Sequence, residues 1–145
     1  MNPVRLSYHG RATNDIPINE TDLSQPATYP FLTHMYFNAV AGDSAPRFPW
    51  PFTVVNERGI KVQDVLCEVW RTFNQPVPED ESSSWLPLRQ SMSRWSFEKR
   101  CQILSQPRPF TDVLRRCDSF GAIMFFRGIE PTVDGGGWMI TFGTY

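Results

Sequence analysis

Histidine and cysteine are scarce in this chain, with two and three among its 145 residues. The cysteines, Cys67, Cys101 and Cys117, are odd in number and widely spaced, so they form neither a Cys-x-x-Cys metal pair nor a disulfide framework. There is also no His-x-x-x-His pair and no dense carboxylate loop, and the sequence predicts no metal site. It predicts no catalytic residue either, because no local signature supports a nucleophile with its base.

Long apolar runs and glycine-rich cofactor loops are also missing. No stretch approaches the roughly 18 apolar residues of a membrane span, and residues 1–21 lack the apolar core of a signal peptide. We therefore expect no membrane association and an intracellular location, cytoplasmic or nuclear, where thiols stay reduced. Neither a Gly-x-Gly-x-x-Gly turn nor a phosphate-binding loop with its lysine occurs, so we predict no cofactor.

Acidic and basic residues nearly balance, at 15 and 14, and the net charge of −1 argues against a nucleic-acid partner. The basic residues are nevertheless concentrated, because residues 89–127 contain eight of them against three acidic ones. Arginine presents a planar fork of donors that suits carboxylate or phosphate groups. The candidate anion-binding residues are Arg115, Arg89, Arg94 and Arg100. The alternative is that these arginines form an ordinary solvated surface.

Arg115 is preferred over its neighbour because residues 113–119 are predicted to form a strand. On a strand, Arg116 and Asp118 point to the same face and can neutralise each other. No acidic residue is adjacent in sequence on the face of Arg115.

Aromatic residues are abundant, at 14%, and two interpretations stay open. The residues Trp50, Trp85, Trp138 and His34 are candidates for lining a pocket or a peptide groove. Alternatively the tryptophans fill a core, which we favour because Trp70 and Trp95 lie within apolar stripes at helical spacing.

Apolar spacing predicts a helix over residues 62–73 and a second helix through the stripe Trp85, Leu88, Met92 and Trp95 to Arg100. Strands are predicted at 31–37, 52–55, 113–119, 122–126 and 138–142, with a glycine-rich hairpin turn at 134–137. These elements predict an α+β fold, a small and mainly antiparallel sheet with two helices packed on one face. We expect a polar N-terminal arm at residues 1–28 and a single α+β domain at residues 29–145.

Several short motifs resemble a known family. They are PWPFTV at 49–54, GIKVQDVL at 59–66, LRRCDSFG at 114–121, FRGI at 126–129 and GWM at 137–139. Together they resemble the fungal, chiefly basidiomycete, domain of unknown function 6699. The resemblance implies a fungal source and a single α+β domain, but no activity and no catalytic residue. Lys61 stands where that family often has Thr, so we expect a frayed or differently capped helix start.

No motif commits the chain to a chemistry, and the function is unknown at this level. We expect a non-enzymatic interaction module, because no catalytic pair, metal cluster or cofactor loop is present. The alternative is a small-molecule-binding protein or enzyme with a pocket of aromatic residues and arginine. The expected partner is a protein or an anionic ligand, and the sequence does not determine the oligomeric state.

Overall fold

The computed structural model describes residues 7–8, 16–43, 47–103, 113–121 and 125–143. The strands are β1 (Ser7–Tyr8), β2 (Ile16–Pro17), β3 (His34–Val40), β4 (Phe52–Val55), β5 (Phe125–Pro131) and β6 (Trp138–Gly143). The helices are α1 (Glu20–Ser24), α2 (Val62–Phe73), α3 (Glu79–Ser83) and α4 (Pro87–Ile103), followed by a 3-10 helix at Arg116–Phe120. The fold is therefore α+β, as predicted.

The main sheet has four strands in the order β4-β3-β6-β5. The outer pairs, β3 with β4 and β5 with β6, are antiparallel, whereas the central pair of β3 and β6 is parallel. The sheet is thus mixed and not mainly antiparallel as expected. The long connection between β3 and β6, which contains three of the helices, allows the parallel pairing. β1 and β2 form a separate antiparallel ribbon.

β3 carries the core side of the sheet. Met35, Phe37 and Val40 are buried, and Phe37 stacks on Phe52 of β4 at a centroid distance of 4.9 Å. The predicted strand at 31–37 begins three residues too early, since Phe31 lies before β3 and is 63% exposed. The predicted strand at 52–55 coincides with β4.

α2 has the predicted bounds, and part of its predicted apolar stripe is buried. Val65, Val69 and Phe73 lie in the core. At its start, the side chain of Lys61 makes no capping hydrogen bond, and the Asp64 carboxylate accepts the backbone N–H of Lys61 at 2.9 Å. The expectation of a differently capped start is therefore confirmed.

α4 begins at Pro87, a position where proline loses no helical hydrogen bond. Its orientation contradicts the prediction that its apolar stripe fills the core. Leu88, Met92 and Trp95 are exposed, and Trp70 of α2 is exposed as well. Among residues 87–102 of α4, those that are buried or half-buried are Arg89, Ser93, Ser96, Phe97, Arg100 and Cys101.

Residues 113–119 do not form the predicted strand. One isolated bridge joins Arg115 to Pro76, and the chain then turns into the 3-10 helix. The turn forms because the Asp118 carboxylate accepts the backbone N–H of Arg115 at 2.8 Å, and Ser119 Oγ donates to the carbonyl of Arg116 at 2.8 Å. Of the strand predicted at 122–126, residues 122–124 lie outside the described residues, and β5 starts at Phe125.

The hairpin between β5 and β6 confirms the predicted turn. Gly135 has a φ of 69°, which glycine adopts without strain. Asp134 Oδ1 accepts the backbone N–H of Gly136 at 3.0 Å. The pKa of Asp134 lies below its ordinary value because of hydrogen bonding from the Thr132 side chain and, to a smaller extent, from this Gly136 N–H.

The core is built from β3, β4, β6 and α2, with aromatic rings at its centre. The ring of Phe73 contacts those of Phe48, Phe52, Phe120 and Phe142 at centroid distances of 5.3–6.4 Å. The backbone of residues 25–27 is hydrogen-bonded to residues 60–62 at the start of α2. The division into an arm and a domain, and the packing of two helices on one face, stay predictions.

Candidate binding site around helix α4

A cluster of tryptophan and arginine side chains lies beneath α4. The rings of Trp50 and Trp85 meet edge to face at 6.3 Å. The guanidinium of Arg89 lies 4.8 Å from the Trp85 ring centre and 5.9 Å from that of Trp50. Arg116 lies 5.2 Å from the centre of Trp50. The cluster brings together two predicted pocket residues and one predicted anion-binding residue, with cation–π contacts between them.

The buried indole of Trp50 is anchored to α3. Its Nε1 donates to Glu81 Oε1 at 2.8 Å, which satisfies the polar atom of a ring that is otherwise in the core. Burial lowers the pKa of Arg116, and the negative charge of Glu81 opposes this shift. Trp50 and Arg116 therefore have structural contacts that reach from the core to α3.

Arg89 is mostly buried and incompletely hydrogen-bonded. Its Nη1 lies 3.6 Å from Asp43 Oδ1, and its Nε and Nη2 have no hydrogen-bond partner among the described residues. Because a buried guanidinium holds its position only with its charge compensated, Asp43 and the two indole faces fix this side chain.

Arg100 and Arg115 are also engaged within the domain. Arg100 donates to both carboxylate oxygens of Asp118 at 2.9 and 3.0 Å and to the carbonyl of Val113 at 3.1 Å. Arg115 Nη1 donates to Asn74 Oδ1 at 3.0 Å. The predicted neutralisation of Arg116 by Asp118 is wrong, because the strand that would align them is absent and Asp118 pairs with Arg100.

Arg94 is the predicted anion-binding residue that is exposed on α4. In the part of the chain that the structure describes, its side chain has no ion pair and no hydrogen bond. It lies where two surface depressions meet. One is an open cleft of about 520 Å³ between α3 and α4, and the other is a shallower depression of about 300 Å³ beside Trp95. Of the four candidate arginines, Arg94 is the one that is exposed and lines a cleft.

The cleft between α3 and α4 has a mixed lining. Its residues are Glu79, Ser82, Ser83, Trp85, Gln90, Ser93, Arg94, Phe97 and Leu114. Ser93 is 1% exposed, and its Oγ has no hydrogen-bond partner among the described residues. Gln90 Nε2 donates to the carbonyls of Ser82, Ser83 and Trp85, and so joins α3 to α4 at the cleft rim. The cleft thus combines aromatic walls with polar groups of both charges.

A comparison of the sequence with family models matches residues 2–136 to the family of unknown function DUF6699. The chain belongs to the DUF6699 family. No curated protein and no solved structure matches the chain. The family, which the sequence motifs already indicated, assigns no activity to this DUF6699 chain.

Two predicted pocket residues of the DUF6699 chain lie apart from the cleft. Trp138 begins β6, opposite Phe37 of β3 and Pro131 of β5, and packs against the core. His34 begins β3 and is exposed, with Nδ1 3.0 Å from Thr33 Oγ1. Neither residue lines the two depressions at Arg94.

The sequence prediction missed Glu79 and Ser93 as site residues of this DUF6699 chain. A usable signal was the spacing of Arg89, Ser93, Ser96 and Arg100 at i, i+4, i+7 and i+11, which is a polar stripe at helical spacing. Such a stripe normally faces solvent, so its periodicity alone does not indicate that it lines a cleft.

Two observations concern nucleophilic and metal chemistry in the described part of the DUF6699 chain. Burial, reinforced by Asp118, raises the pKa of the Cys117 thiol to about 11, which opposes formation of a reactive thiolate. No group of three or more His, Cys, Asp or Glu side chains is placed to hold a metal ion among the described residues. No helix in the described ranges is long and apolar enough to span a membrane.

Proposed function

We propose that this domain is a non-enzymatic interaction module that binds an acidic, apolar segment of a partner protein across the outer side of α4. The observation that carries the proposal is Arg94, an exposed cation without an ion pair among the described residues, at the junction of two depressions. An unpaired guanidinium presents forked donors to a carboxylate.

The apolar part of the partner follows from the exposed stripe on α4. Leu88, Met92 and Trp95 succeed one another at i, i+4 and i+7, and Trp95 is 49% exposed. Contiguous exposed apolar side chains are typical of interaction surfaces, where tryptophan and arginine contribute most of the binding energy. The stripe supports a protein segment as the occupant.

The acidic character of the partner follows from the exposed charges of α4. Arg94 and Lys99 are exposed, against the single acid Glu98. The proposal assumes that α2 and α4 form one layer on a single face of the sheet, which keeps the outer side of α4 accessible. It includes an intracellular location, which the three cysteines support because none of them forms a disulfide.

A small-molecule ligand is the second candidate. The cleft volume of about 520 Å³ lies within the range of ligand pockets, and aromatic side chains of Trp85 and Phe97 line it. Its open shape and the adjoining depression at Trp95 favour an extended segment over an enclosed molecule.

A selection of random displayed peptides on the purified full chain tests the proposal. We expect enriched peptides to combine acidic and apolar residues and to lose binding to Arg94→Glu and Trp95→Ala. Arg58→Glu, a charge reversal in the exposed loop before α2, is the control and should leave binding intact. The proposal would be overturned if no peptide sequence were enriched, or if the enriched peptides bound the Arg94→Glu variant as well as the wild type.

A further inference from the structure

The cleft between α3 and α4 has one charged group on each wall. Glu79, the first residue of α3, lies on one wall, and Arg94 of α4 lies on the other. The side chain of Glu79 is exposed and has no ion pair and no hydrogen bond within the described ranges. The two charges are therefore both available to a ligand.

The wall formed by α3 is acidic beyond Glu79. Asp80 and Glu81 follow it in the first turn, and Glu81 is held by the indole of Trp50 at 2.8 Å. A second carboxylate brought to this wall would meet like charge, whereas an ammonium or guanidinium group would meet opposite charge. The acidic wall thus discriminates by sign.

The lining of the cleft also contains a polar group without a partner. Ser93 Oγ is buried, lines the cleft and forms no hydrogen bond among the described residues. A buried hydroxyl without a partner is costly, so a polar atom of a ligand that reaches it gains a hydrogen bond. Beside it, Phe97 and Leu114 provide an apolar surface.

We propose that this cleft selects a segment in which an apolar side chain lies between one anionic and one cationic group. The anionic group pairs with Arg94, the cationic group with Glu79, and the apolar side chain packs between Trp85 and Phe97. This inference rests on the proposed function, because Arg94 receives the carboxylate in both. It adds that a segment with an acidic group at both ends binds less tightly than a segment with one acidic and one basic end.

Chemical-shift titrations of the full chain with blocked peptides test the inference. The probes are acetylated, amidated Glu-Leu-Lys and Lys-Leu-Glu, with Glu-Leu-Glu and Lys-Leu-Lys for comparison. We expect backbone amide shifts at residues 79–97 and affinities for the mixed peptides about two- to fivefold above those for the diacid, as for a single exposed ion pair.

Substitutions separate the two charges. Glu79→Gln should weaken the mixed peptides to the level of the diacid, and Arg94→Gln should weaken every peptide that contains an acid. Glu57→Gln, which removes an exposed carboxylate in the loop before α2 and outside the cleft lining, is the control and should change neither.

Equal or tighter binding of Glu-Leu-Glu would overturn the paired-charge inference and leave the proposed function standing. Absence of shifts at the cleft with every acidic peptide would overturn both. Binding of the mixed peptides that is insensitive to Glu79→Gln would also reject the inference.

Discussion

Arg100 of α4 and Asp118 of the 3-10 helix form a bidentate ion pair. Arg100 Nε and Nη2 donate to the two carboxylate oxygens at 2.9 and 3.0 Å, and Asp118 is only 3% exposed. The same carboxylate accepts the backbone N–H of Arg115, so it holds both the end of α4 and the start of the turn. A single acidic residue thereby connects two elements that are 18 residues apart along the chain.

Asp118→Ala should lower the free energy of unfolding by about 3–5 kcal/mol, because it leaves the Arg100 guanidinium largely buried without its counter-charge. Urea denaturation monitored by tryptophan fluorescence measures the change. Asp80→Ala, which removes an exposed carboxylate, should stay within about 0.5 kcal/mol of the wild type. A small effect for Asp118→Ala would mean that the ion pair contributes little to the attachment of α4.

Phe73 and Trp70 lie one turn apart on α2 and should differ sharply in their effect on stability. Phe73→Ala should cost about 3–5 kcal/mol, because its ring packs among four other phenylalanines in the core. Trp70→Ala should cost far less, since the indole is 56% exposed. Chemical denaturation measures the free energy of unfolding of both variants. Equal losses of unfolding free energy would contradict the orientation of α2.

Ser93→Ala should stabilise the domain, although most buried substitutions destabilise. It removes a buried hydroxyl without a hydrogen-bond partner, a group that costs about 1–3 kcal/mol when unsatisfied, and it raises helix propensity. Ser91→Ala, at an exposed position of the same helix, measures the propensity gain alone. The melting temperature of Ser93→Ala should therefore exceed that of Ser91→Ala, and the reverse order would show that the hydroxyl is satisfied in solution.

Cys117 should add a pH-dependent contribution to stability. Burial raises the pKa of its thiol from 9.0 to about 11. Between these values the unfolded chain loses the thiol proton while the folded chain keeps it, so stability falls as pH rises from about 9 to about 11.

The measurement is the unfolding free energy of the wild type and of Cys117→Ala at pH 8 and pH 10. The variant lacks the titrating thiol, so its stability should fall less between the two pH values. Cys67→Ala, the removal of an exposed thiol on α2, is the matched control. Identical pH dependence in the wild type and in Cys117→Ala would contradict burial of this thiol.

The sequence predicts a structural feature correctly where the interactions that determine it lie within a few residues of one another. The apolar period of residues 62–73 predicts α2, and Asp64, three residues beyond Lys61, supplies the capping acceptor within one turn. Gly135 permits the positive φ of the hairpin turn between β5 and β6. Each of these features depends on residues a few positions apart, so it can be read from the sequence.

The candidate site could be predicted only in part, because burial of a helix face depends on distant elements. The 3.6-residue period of apolar residues shows that the faces of α4 differ. Which face is buried depends on the ion pair of Arg100 with Asp118 and on the cation–π contacts of Arg89 with Trp50 and Trp85. These contacts engage Arg100 and Arg89, a hydrogen bond to Asn74 engages Arg115, and Arg94 is left exposed.

The sequence by itself determined the family, the α+β class, α2, β4, the presence of a helix through residue 100 and the hairpin turn. Only the tertiary structure decided that the sheet is mixed, that residues 116–120 form a 3-10 helix and that α4 turns its apolar stripe outward. The reason is physical: propensity and periodicity act within a few residues, whereas strand order and ion pairing are decided by groups that meet only when the chain has folded.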